Sequence, residues 1–199
     1  MSKIPKEILW EEFKEASSLI LAGRKFNNQD VKYKRILKTV LRYFSTDDDF
    51  NEDGLIKNSD LNKGLLIIGN KRCVAKDVLL QIIQKAGFEL REKYEIDTAL
   101  FSIANASEFV YLYEFSINSK RHSFDLIKAK TKPFLIQGFG NESKAFGSYE
   151  LIAEILEDRY FSKARTFITT DLSMIDISNR YGRDFSEKLR KMCNIINWD

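Results

Sequence analysis

Three short apolar runs limit what this chain can fold into: GLLII at 64–68, PFLIQGF at 133–139 and RTFITT at 165–170. Apart from Arg165 at the head of the third, none contains a charge. Such unbroken runs are what strands buried on both faces require, whereas a half-exposed strand would alternate apolar with polar residues. Stretches with helical spacing separate the runs. Strand and helix in alternation predict an α/β fold, a parallel sheet with helices on both faces.

The helical stretches can be placed one by one. Residues 4–22 set Ile8, Leu9, Phe13 and Leu19 among charges, as an amphipathic helix does. A second helix spans about Asp30 to Phe44, and the acidic STDDDFNEDG (45–54) ends it as a loop without calcium-ligand spacing. Residues 75–86 and 148–160 read as helices, and 102–116 as another, rich in core-type aromatics. The stretch from Phe88 to Ile103 fits neither pattern. Ser173 and Asp176 have the spacing of a capping box. Helices then run to KLRKMC, and IINW forms a last strand. Residues 1–29 are expected to be an N-terminal helical segment docked on the core, because its apolar face needs burial, with one domain over 30–199.

Several classes of function are excluded early. The two cysteines, Cys73 and Cys193, lie far apart, and the one histidine, His122, sits in a polar stretch. That leaves no zinc site and no Cys–His nucleophile. No apolar run is long enough to span a bilayer, and MSKIPKEILWEEF lacks the apolar core of a secretory signal, so the expected location is the cytoplasm. The net charge of +3 permits nucleic-acid contact without requiring it. The basic runs GRKF (23–26), KYKR (32–35), SKR (119–121) and KAKTK (128–132) read first as solvated faces.

Residues 63–83, KGLLIIGNKRCVAKDVLLQII, carry the functional signal. An apolar strand, Gly69, a loop and a helix reproduce the layout of a phosphate-binding loop. Yet Arg72, Cys73, Val74 and Ala75 stand where such a loop needs glycines and a lysine.

LNKGLLIIGNK, FGNE, AFGSYELIAEILEDRY and TFITTDLSMIDISNRYGRDFSEKLRKMCNII occur in this order. Together they resemble the DnaC/IstB-like AAA+ ATPases, the helicase loaders and transposition helpers, over roughly 30–196. The family reads ILxDRY, then ITTNLS, then RYGxRxxSRLxxMCN. The resemblance implies an AAA+-type P-loop NTPase fold with ATP bound between subunits of an oligomer. It also implies a replicative helicase, a transposase or single-stranded DNA as partner.

The chain departs from this family at most of the positions that handle nucleotide. Aligned without a gap on GxxGxGK[ST], only Gly69 of the glycines is kept, followed by Asn70 and Lys71. Arg72 and Val74 replace loop glycines, Ala75 the lysine and Lys76 the magnesium-binding hydroxyl. Val74 cannot easily take the backbone angles open to glycine. The acidic pair after the second strand is Gln137–Gly138, and the sensor asparagine is Asp171. Glu142 reads as a surface acid. Of the arginines that reach a neighbour's ATP, Arg180 is kept, while Asp184 and Lys188 replace two others, with Arg183 adjacent. A framework kept while the catalytic set is lost points to a pseudo-ATPase with no cofactor.

Three readings follow. The first is a non-catalytic relative that engages a replicative helicase or an active AAA+ homologue, in replication or mobile-element maintenance, with Arg180, Arg183 and Lys188 as contact residues. Single-stranded DNA is a further partner under this reading. The second is a rebuilt ATP and magnesium site on Lys71 and Lys76, with an acid recruited from Asp125, Glu142 or Asp171. The third is a DNA-binding module independent of nucleotide.

Overall fold

The computed structural model describes residues 4–22, 30–70, 74–119 and 125–198. Lys71, Arg72, Cys73, His122 and the runs GRKF and, beyond Ser119, SKR lie outside them. Two helices, α1 (Lys6–Ile20) and α2 (Val31–Phe44), precede β1 (Gly64–Ile68) and α3 (Ala75–Tyr94). Then come β2 (Ser102–Asn105), α4 (Ala106–Ser119), α5 (Leu126–Thr131), β3 (Phe134–Phe139) and α6 (Leu151–Phe161). The chain closes with β4 (Thr166–Thr170), α7 (Met174–Tyr181), α8 (Arg183–Met192) and β5 (Cys193–Asn197).

The five strands form one sheet in the order β2-β3-β4-β1-β5, and every pairing is parallel. Side chains alternate across it, as strand geometry dictates. Leu65, Ile67, Leu135 and Phe167 face a core built with Leu9, Phe13, Ile36, Phe44, Leu79 and Ile83 of α1, α2 and α3. Leu66, Ile136 and Ile168 face the other core, with Val110, Ile152, Ile155, Ile177 and Leu189 of α4, α6, α7 and α8. The apolar runs are therefore continuous because both faces of the sheet are covered. Cys193 is fully enclosed at the start of β5, and burial pushes its thiol up to about 12.

α1 joins the first core through Leu9, Phe13 and Ala16. Its buried Glu12 accepts both oxygens' worth of hydrogen bonding from Lys93 of α3, at 3.0 and 2.8 Å. Asp30 caps α2 by accepting from the Lys32 amide. Ser173 and Asp176 form the full capping box at the start of α7.

Two elements differ from the sequence reading. Residues 102–116 are not one helix, since Ser102–Asn105 is a strand paired with Phe134–Gln137. Asn105 makes the switch: its side-chain oxygen accepts from the amides of Ser107 and Glu108, as a helix N-cap does. The helix that starts at 75 continues past 86 to Tyr94 and closes with Glu95 in the left-handed region. Gly87 within it serves a close approach, for a Cβ there would lie 2.1 Å from the Ala99 carbonyl oxygen.

Candidate functional site

The C-terminal ends of β2, β3 and β4 and the start of α3 open into one polar cleft of about 270 Å³. Ligands of open parallel sheets gather at this end, where loops and helix N-termini converge. Gly69 follows β1 with its amide on the Thr170 carbonyl at 3.0 Å, and Asn70 follows Gly69. Val74 sits at the start of α3 with ordinary helical angles, φ −65° and ψ −20°, and its side chain is exposed.

Among the described residues, Lys76 is the lysine that reaches the cleft. Its side chain is 3% exposed, and its ammonium lies 2.8 Å from Asp171 Oδ1 and 3.8 Å from Asp77 Oδ2. The other oxygen of Asp171 accepts from Asn141 Nδ2 at 2.9 Å. Asp77 accepts from the Thr169 hydroxyl. Burial raises the Asp77 carboxyl, and the Thr169 hydrogen bond and the Lys76 charge only partly offset that.

Gln137, near the end of β3, donates to the Asp77 carbonyl at 3.2 Å and accepts from Gln81 at 3.1 Å. Gly138 takes a positive φ of 68°, where β3 shifts register against β4 between Ile136 and Phe139. Its amide donates to the Thr169 hydroxyl at 3.2 Å. The side chains at the mouth of the sheet thus satisfy one another.

ATP and magnesium do not fit the residues described here. Among the described residues one ammonium stands between two carboxylates, so no cation is left over to meet a phosphate. Gln137 and Gly138 supply no carboxylate at the end of β3, and Val74 places a branched side chain at the head of α3. The lysine that could neutralise a phosphate is already in an ion pair. Sequence reasoning found Lys76 and Asp171 separately but not their pairing. It missed Asp77, Asn141 and Thr169, for which the one available signal was that Asp77 follows Lys76 directly.

The three expected contact residues part company. Arg180 donates to the carbonyls of Gly140 and Glu142 and to Glu150, the last at 3.1 Å, and covers the ring of Tyr181. Lys188 pairs with Glu157. Arg183 is exposed, and no hydrogen bond or ion pair holds its side chain among the described residues. Asp125, another candidate acid, caps α5 through the Lys128 amide.

Glu142 is a correction. It is 5% exposed, not a surface acid, because its oxygens accept from the Gly140 amide and the Tyr181 hydroxyl, both at 2.7 Å. Burial and that carboxylate push the Tyr181 phenol well above its ordinary range. Arg180, Glu142 and Tyr181 thereby pin the loop after β3 against α7.

No family model and no curated protein matches the sequence significantly. Solved structures do match. The chain is similar to the DnaC helicase loader at 16% identity and a TM-score of 0.60, over 86% of this chain and 93% of that one. It is similar to DnaI at 19% identity and a TM-score of 0.58, over 98% of this chain and 95% of that one. The five-stranded parallel sheet covered by helices is therefore the fold that the DnaC helicase loader and DnaI share.

Proposed function

We propose that this protein is a non-hydrolysing relative of the helicase-loader ATPases that acts through its surfaces. The observation that carries this reading is the Lys76–Asp171 ion pair at 2.8 Å inside the former phosphate site. A phosphate on Lys76 would either share that ammonium with two carboxylates that repel it or break the buried pair, the latter at a cost on the order of 3 kcal/mol. The partner is a replicative helicase or an active AAA+ homologue, and Arg183 is the contact residue free to reach it. Single-stranded DNA is a further partner of the same surfaces.

The test is twofold. ATP hydrolysis and magnesium-dependent ATP binding are measured on the wild type and on Lys76→Ala; no turnover, and no binding that depends on Lys76, is expected. Co-elution with a replicative helicase or an active homologue in size-exclusion chromatography is then expected to weaken in Arg183→Glu. Absence of any complex with either partner would overturn the reading.

A second reading, a rebuilt nucleotide site, has one observation in its favour: the Lys76 ammonium, not a side chain at 75, points into the cleft. Magnesium-dependent ATP binding that Lys76→Ala abolishes would establish it in place of the first.

A further inference from the structure

A second cavity, of about 600 Å³, lies at the opposite end of the sheet, under the starts of β1, β4 and β5. Its charged lining is Lys63, Arg159, Lys163, Arg165 and Lys191 against the single acid Asp60. Among the described residues Lys63, Lys163 and Lys191 enter no ion pair. Arg159 is fully buried, and its guanidinium is held only by neutral acceptors. These are the Thr166 hydroxyl at 2.9 Å and the carbonyls of Ala129 and Arg165 at 2.5 and 2.6 Å. Burial lowers its pKa to about 10, still far above neutrality, so the charge remains. These bonds use three of its five N–H donors.

A simpler account of the cations deserves weighing. Helices α6 and α8 both end at this face, and basic residues there complement the partial negative charge of helix C-termini. That explains Lys163 and Lys191. It covers Arg159 in part, since Arg159 lies in the last turn of α6 and donates to the Ala129 carbonyl of α5, but it leaves that buried charge without a carboxylate, and it does not reach Lys63, which lies ahead of β1. Buried charges are ordinarily paired. Tyr160 and Phe161 add aromatic surface to the lining, and Phe161 is 71% exposed. The volume falls within the range of small-molecule sites.

We infer that this cavity binds a multiply charged phosphoanion, either free pyrophosphate-type compounds or the phosphates of a single strand of nucleic acid. Lys63, Lys163 and Lys191 supply direct contacts, and Arg159 supplies a fixed positive field from beneath. The inference does not rest on the reading of the cleft, since the two sites are at opposite ends of the sheet and have no residue in common.

Calorimetric titration of the full chain with inorganic pyrophosphate, and separately with a short oligothymidylate, tests it. At least one probe is expected to bind, with affinity that falls steeply as salt is added. Lys63→Ala and Lys191→Ala are each expected to weaken it about tenfold, the usual worth of one charged hydrogen bond. Lys76→Ala is expected to leave it unchanged. Lys163→Glu, at an exposed position, repeats the test where an alanine variant folds poorly. Binding of pyrophosphate alone assigns a small ligand, and binding of the strand alone assigns nucleic acid; both support the site. No binding of either probe at millimolar concentration, or binding indifferent to all three lysines, overturns it.

Discussion

The two ends of the sheet treat charge in opposite ways. At the C-terminal ends of β2, β3 and β4, Lys76 is shared between Asp171 and Asp77, and the amides of Gln81, Gln137 and Asn141 complete the network. At the N-terminal ends, five cations line a cavity with one acid. In a parallel α/β fold the first end is where ligands ordinarily bind, because helix N-termini and loops converge there. In this protein the described side chains at the first end satisfy one another, whereas Lys63, Lys163 and Lys191 at the second enter no ion pair among the described residues. A fold thus fixes where a site can be built, but the pairing of side chains decides whether it is open to a ligand.

The largest way to break this comparison is Arg159→Ala. It strands the Ala129 carbonyl, removes one donor each from the Arg165 carbonyl and the Thr166 hydroxyl and leaves a cavity, and should cost on the order of 3 kcal/mol or more, read as a lower midpoint in urea unfolding. A loss below about 1 kcal/mol would mean that Arg159 is not the buried centre of its end. Next is Lys76→Met, which leaves Asp171 beside Asp77 without its cation and should cost about 2–3 kcal/mol. Adding Asp171→Leu should recover most of that loss, since an apolar pair often replaces a buried ion pair without penalty. Failure of the double variant to recover would show that the pair does more than balance charge.

Ser173→Ala supplies a reference outside both charge clusters. It removes the side-chain half of the capping box and should cost about 1 kcal/mol. The smallest effect, and the one of opposite sign, belongs to Asp77→Asn. Burial raises the Asp77 carboxyl above its ordinary 3.8, so the fold prefers the neutral acid. Its favourable contribution is complete below that value and is lost as pH rises through the raised folded value. The asparagine variant should therefore be at least as stable as the wild type at pH 7. Its advantage should vanish as pH falls below 3.8, read from unfolding midpoints across the series. A variant less stable at pH 7 would mean that the ionised carboxylate is an asset to the cleft.

How legible the protein is from its sequence can be judged element by element. The charge-free runs at 64–68, 133–139 and 165–170 became β1, β3 and β4, because burial on both faces leaves an unmistakable pattern. The capping box at Ser173 and Asp176 was equally plain, since it is a contact between near neighbours in the chain. Strand β2 was hidden: four residues are too few to show a period, and what makes them a strand is a partner about thirty residues away. Glu142 was misread because its burial comes from Tyr181, which is distant in sequence.

By itself, then, the sequence determined the α/β class, the buried strand at 64–68 and the helix that follows it from 75. Each of these is a local pattern or a residue type, and needs no knowledge of what lies opposite. Only the tertiary structure decided that Lys76 spends its charge on Asp171, 95 positions away, and that Arg159 spends its charge on no acid at all. Charge compensation depends on distance in space and on burial, and neither is written in the order of residues along the chain.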